Sequence, residues 1–208
     1  LAFIGATGMW MHSMITLSSV LVSVLICFVI GVPLGVIASY NKWYRDIQNV
    51  VLDAMQTLPY FCYLIPVLMF FGGNIVSAVI ATVIYSVPPI IRLTALGLSQ
   101  VSGGYSEVSK SFGGTGIQTL NKVKFPLAVP SLVMGFNQTV IMAFAMQIVT
   151  PLIGGKGLGL QVFNALQRSD TGRGLSAGLA IVLLAIIIDR ITHAWTKKQR
   201  QALGLDQS

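Results

Sequence analysis

The chain has 208 residues, of which 54% are hydrophobic and 9% charged, with a formal net charge of +7 and a mean hydropathy of +0.79. A soluble domain averages about a quarter charged residues, so an ordinary soluble protein is excluded, and the length fits about five or six helical spans without a separate soluble domain. The basic residues sit in short segments between apolar runs, where they set membrane topology, so nucleic acid is excluded as the partner of this charge.

The chain opens on Leu1 with no basic stretch before its first apolar run, which reads as a processed or truncated form of a longer chain. That first run, residues 14–38, is long enough to cross a bilayer with tilt to spare. Gly31, Pro33 and Gly35 lie in its second half, where a membrane helix is re-satisfied by its neighbours and packs closely. A polar turn with Lys42, Trp43, Tyr44 and Arg45 follows. The second span, 50–71, is interrupted by Pro59 and Pro66. Gly72-Gly73-Asn74 is too short for anything but a tight turn, so the third span, 75–98, returns beside the second and passes through Pro88-Pro89.

From Ser99 to Phe125 the hydrophobicity collapses. Thr115 and Gln118 have the spacing of a capping box, which starts a short helix, and a second short helix is expected before it, from about Tyr105 to Phe112. The fourth and fifth spans are expected at 128–150 and 175–195. Lys42, Arg45, Lys110, Lys122, Lys124, Lys197, Lys198 and Arg200 fall on one side of these five spans, against Lys156, Arg168 and Arg173 on the other. The excess marks the cytoplasmic side, so the N-terminus is expected outside, the C-terminus inside, and segment 99–125 in the cytoplasm. The expected architecture is all-α and polytopic, with residues 1–208 forming one transmembrane domain.

No catalytic constellation emerges. His12 and His193 are far apart in sequence, and there is no H-E-x-x-H motif and no G-x-S-x-G elbow with a plausible acid and base. Gly154-Gly155-Lys156-Gly157 is not a phosphate-binding loop, because no Ser or Thr follows Lys156 to hold magnesium. Cys27 and Cys62 lack metal-ligand spacing and are expected as buried, apolar-like thiols. The sequence therefore predicts no enzyme, no catalytic residue and no metal.

Polar residues in the spans carry two readings. Asp53, Arg92, Asp189 and Arg190 lie near the expected inner boundary, where snorkelling or an inter-helix ion pair outweighs a substrate role. Gln56, Asn137, Gln138 and Gln147 are either inter-helical glue or pathway lining. Tyr60, Phe61 and Tyr63 either pack or present π-faces to a cationic methylammonium head.

The run from Glu107 to Gly113 is followed, after nine residues, by Val123-Lys124-Phe125-Pro126. It resembles the E-A-A-x-x-x-G-x9-I-x-L-P signature of binding-protein-dependent ABC transporter permeases. Val108 and Ser109 replace the alanines, and Val123 and Phe125 replace the Ile and Leu. Leu52–Pro59, Ser86–Thr94, Gly135–Thr139 and Leu184–Thr192 are similar in particular to permeases of the glycine betaine/proline betaine type.

The resemblance implies a type I importer permease core like that of the methionine permease, in the bacterial cytoplasmic membrane. It implies a homodimer of permease subunits, two ABC ATPase subunits that bind ATP and Mg, and an extracytoplasmic substrate-binding protein. No cofactor is expected on this chain itself, and membrane lipid is its solvent. Glu107, Ser109, Gly113 and Pro126 are the expected ATPase-coupling residues. Gln56, Tyr60, Tyr63, Asn137, Gln138 and Gln147 are the candidate lining of an alternating-access pathway for glycine betaine or a related amine. An ABC permease for another small solute, such as an amino acid or a sulfonate, is the alternative. A channel or carrier independent of ATP belongs to a different class, and the absence of mid-span charge argues against it.

Overall fold

A computed structural model of the chain describes residue 5, residues 7–101 and residues 103–202. The first helix, α1 (Trp10–Tyr40), runs 31 residues and stays continuous through Pro33. Asn41 serves both ends of the turn that follows. Its N–H bonds the Ile37 carbonyl at 3.3 Å, and its side chain accepts from the Tyr44 N–H at 3.2 Å, opening α2 (Lys42–Thr57).

Helix α2 stops at Leu58, which is extended (ψ 130°) because a residue before proline is pushed out of the α region. The chain restarts as α3 (Phe61–Phe71), bent by 96° from α2. The sequence reading of 50–71 as one interrupted span thus becomes two helices, with α2 beginning eight residues earlier, at Lys42. Pro66 leaves α3 unbroken. Gly72, at φ 72°, ends α3, and Asn74 bridges the turn by donating to the Phe71 carbonyl at 2.8 Å and accepting from the Ser77 N–H at 3.0 Å. The tight turn at 72–74 therefore has a specific hydrogen-bonded cause.

Helices α4 (Ile75–Ser86) and α5 (Pro88–Gln100) together form one apolar stretch of 26 residues. The polar connection holds α6 (Gly103–Ser111) and α7 (Gly116–Thr119). A π turn, Leu120–Lys124, then joins α7 to α8 (Phe125–Met146), so helix runs without a break from Gly116 to Met146. A 3-10 turn (Thr150–Ile153), α9 (Leu158–Gln167) and α10 (Thr171–Ala202) complete the order. Among the described residues, four helical stretches are long and apolar enough to cross a membrane, and the bent pair α2–α3 makes a fifth crossing if it counts as one span.

Helix α5 sits between α1 and α8, and small residues set how closely they approach. A Cβ on Gly31 would lie 2.4 Å from Ile90 Cγ2, and one on Gly35 would lie 2.6 Å from Thr94 Cβ and 2.7 Å from the Ile91 carbonyl oxygen. Gly97 meets Ser131 in the same way at 2.6 Å, and Gly135 meets Leu93 at 3.1 Å. Such contacts suit membrane helices, whose association rests on close packing rather than on exclusion of water. Val20 and Val24 of α1, Val140 and Phe144 of α8, and Ile181 and Leu184 of α10 build the largest apolar cluster.

Cys27 is buried against Ser86. Cys62 is exposed, contrary to its expected burial, because α3 buries only Leu64 and Val67 and turns its other faces outward.

Candidate functional site

The polar connection is held together by its own polar side chains. The Thr115 side chain accepts from the Gln118 N–H at 3.4 Å, and the Gln118 side chain accepts from the Thr115 N–H at 2.9 Å, completing the expected capping box. Ser109 Oγ lies 2.8 Å from Thr119 Oγ1 and ties α6 to the end of α7. Between them the chain reverses at Gly113 (φ 78°), and the Gly114 N–H bonds the Ser109 carbonyl at 2.9 Å. Gly114 has to be glycine here, since a Cβ would sit 2.7 Å from that carbonyl oxygen.

Glu107 is exposed, as are the apolar side chains of Val108, Phe112 and Ile117. Ser109, Gly113 and Gly114 thus form the turn itself, and Glu107 lies on its open surface. Pro126 stands in the first turn of α8 and explains the π turn before it. It has no N–H for the Lys122 carbonyl, and its ring would press on that oxygen in α geometry. The wider turn, closed by the Phe125 N–H on the Leu120 carbonyl, relieves both. Lys124 Nζ lies 4.8 Å from the centre of the Tyr40 ring, which joins this turn to the end of α1.

A second cluster forms where α2 breaks from α3. Pro59 cannot donate to the Met55 carbonyl four residues back, and the Tyr63 hydroxyl donates to it instead. The Tyr63 and Tyr85 rings meet at 6.0 Å and 64°, and the Tyr60 and Tyr85 rings at 6.2 Å and 90°. Phe61 stacks obliquely on Tyr60 at 5.0 Å. Tyr60 and Tyr63 therefore both meet Tyr85, which sequence reasoning passed over. Its signal was present: Tyr85 lies three residues after Thr82, on the same face of α4, just before the Pro88-Pro89 pair.

The polar candidates divide by exposure. Gln147 is buried, with Nε2 3.4 Å from Thr82 Oγ1, and Gly159 of α9 crosses so close to its carbonyl that no side chain would fit there. Asn137 is buried with Oδ1 lacking a hydrogen-bond partner among the described residues. Gln56 and Gln138 are exposed. Gln147 thus bonds across to α4, while Gln56 and Gln138 lie at the surface.

Arg92 Nη2 and Asp53 Oδ1 form an ion pair at 2.6 Å between α5 and α2, one of the arrangements expected for these charges. Another tie, not anticipated, fastens α9 to α1: the Leu158 N–H donates to Thr16 Oγ1 at 2.8 Å, and Gln161 Nε2 lies 3.2 Å from His12 Nε2. Among the described residues, no three His, Cys, Asp or Glu side chains come together as metal ligands.

Residues 31–201 match the family described as binding-protein-dependent transport system inner membrane component. The glycine betaine/proline betaine transport system permease protein ProW of Escherichia coli (strain K12) is 44% identical over 197 residues, covering 95% of this chain and 56% of that protein. The chain thus spans little more than half the length of that relative. The glycine betaine/carnitine transport permease protein GbuB of Listeria monocytogenes is 45% identical over 191 residues, covering 92% of this chain and 68% of that protein. Among solved structures, an inward-facing form of the MetNI methionine ABC transporter is similar in fold. Its TM-score is 0.76 at 23% identity, over 89% of this chain and 95% of that one.

Proposed function

The chain belongs to the family of binding-protein-dependent transport system inner membrane components, and from that membership we propose that it is the permease subunit of an ATP-driven importer for glycine betaine or a closely related methylated amine. In this reading two copies form the alternating-access pathway, two ABC ATPase subunits bind ATP and Mg below, and an extracytoplasmic protein delivers the solute. The substrate class draws on the names of the relatives, and the aromatic corner fits a cationic head.

The observation that carries the coupled reading is the form of the polar connection. It presents an acid and exposed apolar side chains on a turn fixed by its own hydrogen bonds, and continuous helix joins that turn to the membrane body. A surface built in this way suits docking to a moving partner, because a displacement of the turn passes along Gly116–Met146 rather than dissipating in a loop. Glu107 offers a carboxylate for a charge-assisted bond to such a partner.

The test is reconstitution of the complete complex, with its own ATPase and binding protein, in proteoliposomes. ATP-dependent uptake of labelled glycine betaine is expected, with hydrolysis stimulated by the loaded binding protein. Uptake of a sulfonate or an ordinary amino acid, without competition from betaine, trimethylamine N-oxide, choline or carnitine, overturns the substrate class. Uptake without ATP overturns the coupled importer.

A further inference from the structure

Tyr85 is the ring on which the corner between α2 and α3 closes. It belongs to α4, while Tyr60 and Tyr63 come from the other side of the broken helix, so the walls of the corner ride on different elements. The Tyr63 hydroxyl is committed to the Met55 carbonyl, and the Tyr63 ring is held by that bond. Tyr60 is 42% exposed and Phe61 50%, so this side of the corner is open. An edge-to-face contact occupies one face of one ring only, and an exposed ring keeps another face that can meet a cation.

Two further observations point to a positive ligand. Pro88 and Pro89 carry no N–H, so neither can donate to the carbonyl four residues back, that of Ile84 or Tyr85, at the end of α4 that carries the ring. Asp53, in α2 ahead of Tyr60, is already paired with Arg92. The corner therefore combines aromatic rings with prolines that withhold two amide donors, and the carboxylate of Asp53 is already paired.

We propose that Tyr85, with Tyr60, forms a passing site for the quaternary ammonium head of the solute, and that the face of the Tyr85 ring sets the rate at which a cationic solute crosses. The site rests on the betaine reading above. Tyr63 is a positioning residue, fixing the corner through Met55. Weak contacts of this kind suit a pathway, since a solute bound equally well in both states of the transporter gains nothing from the switch between them.

The experiment uses the assembled transporter with its ATPase and binding protein, and labelled glycine betaine as the probe. Tyr85 is replaced by Phe and then by phenylalanines carrying one, two and three ring fluorines, which weaken the π-face while nearly keeping the shape. Tyr85→Phe keeps the π-face and serves as the reference rate for the series. Each fluorine is expected to slow import further, by about three- to tenfold across the series. The same series at Phe70, which is 83% exposed on α3, is expected to be flat. Complex yield and melting temperature report any loss of packing, which would not follow the fluorine count. A rate flat across the series at position 85, in a transporter whose wild type imports betaine, overturns the site and leaves the function standing. A wild-type complex that imports no methylated amine overturns both.

Discussion

The Tyr63 hydroxyl donates to the Met55 carbonyl that Pro59 leaves without an amide partner. One proline thus creates the break between α2 and α3, and one tyrosine satisfies the group that the break exposes. Tyr63→Phe is expected to lower stability by about 1 kcal/mol, the usual net worth of such a bond. In a Pro59→Ala background, where residue 59 can donate again, the same change should cost much less. Melting of the purified protein in a double-mutant cycle measures the coupling, and equal costs in both backgrounds would contradict it.

Glycine packing along α5 makes a second prediction. Gly35→Ala is expected to destabilise by about 1 to 3 kcal/mol, because the new Cβ meets Thr94 and a backbone oxygen that cannot yield. Gly178→Ala in α10, with open space around it, should be neutral or stabilising by up to about 1 kcal/mol. Thermal aggregation midpoints of the two variants, compared side by side, decide the matter. An unchanged midpoint for Gly35→Ala would mean that α1 and α5 can separate freely.

The pair Asp53–Arg92 is partly exposed, at 64% and 37%, so its net contribution is expected at about 0 to 1 kcal/mol. Its effect should instead show in geometry, since it fastens α2, where Leu52 is buried and the other residues are not, to the body. Asp53→Arg and Arg92→Asp are each expected to reduce uptake, and the double exchange to restore most of it. Failure of the double exchange, with both single variants impaired, would assign the two residues separate roles.

Glu107→Ala is expected to lower ATP-coupled uptake severalfold while leaving membrane insertion intact. Gly113→Ala should do the same by straining a turn at φ 78°. Hydrolysis stimulated by the binding protein, assayed beside uptake, reads the coupling. Wild-type values for both variants would remove the docking role from this turn.

Topology is open to direct labelling. In a background lacking Cys27 and Cys62, Lys42→Cys and Lys110→Cys are expected to react only from the cytoplasm, and Arg168→Cys only from outside. Labelling of Lys110→Cys from outside would invert the chain and place the polar connection beyond reach of an ATPase.

Local signals made much of this legible in the sequence. The capping box at Thr115, the turn at Gly72–Asn74 and the collapse of hydrophobicity after Leu98 are each settled within a few residues of chain. The break at Pro59 was visible as a proline, but Pro33, Pro66 and Pro130 look no different and leave their helices unbroken. What separates them is tertiary: at Pro59 a tyrosine one turn on takes over the freed carbonyl. Tyr85 was missed for the same reason, because its role depends on which face of α4 meets the far side of a bend. The exposure of Cys62 likewise depends on how little of α3 the rest of the chain covers.

The glycine contacts on α5 have a bearing on stiffness. With clearances too small for a methyl group, α1, α5 and α8 cannot slide past one another and share one set of motions. A torque applied at Thr115 would reach Met146 through a shaft whose softest section is the π turn at Leu120–Lys124. Slack lies elsewhere, in the bent wing of α2 and α3, pinned to the body by Leu52 on α2, Leu64 and Val67 on α3 and one ion pair. A rigid shaft beside a lightly pinned wing concentrates displacement at the wing, and the aromatic corner sits on its pivot.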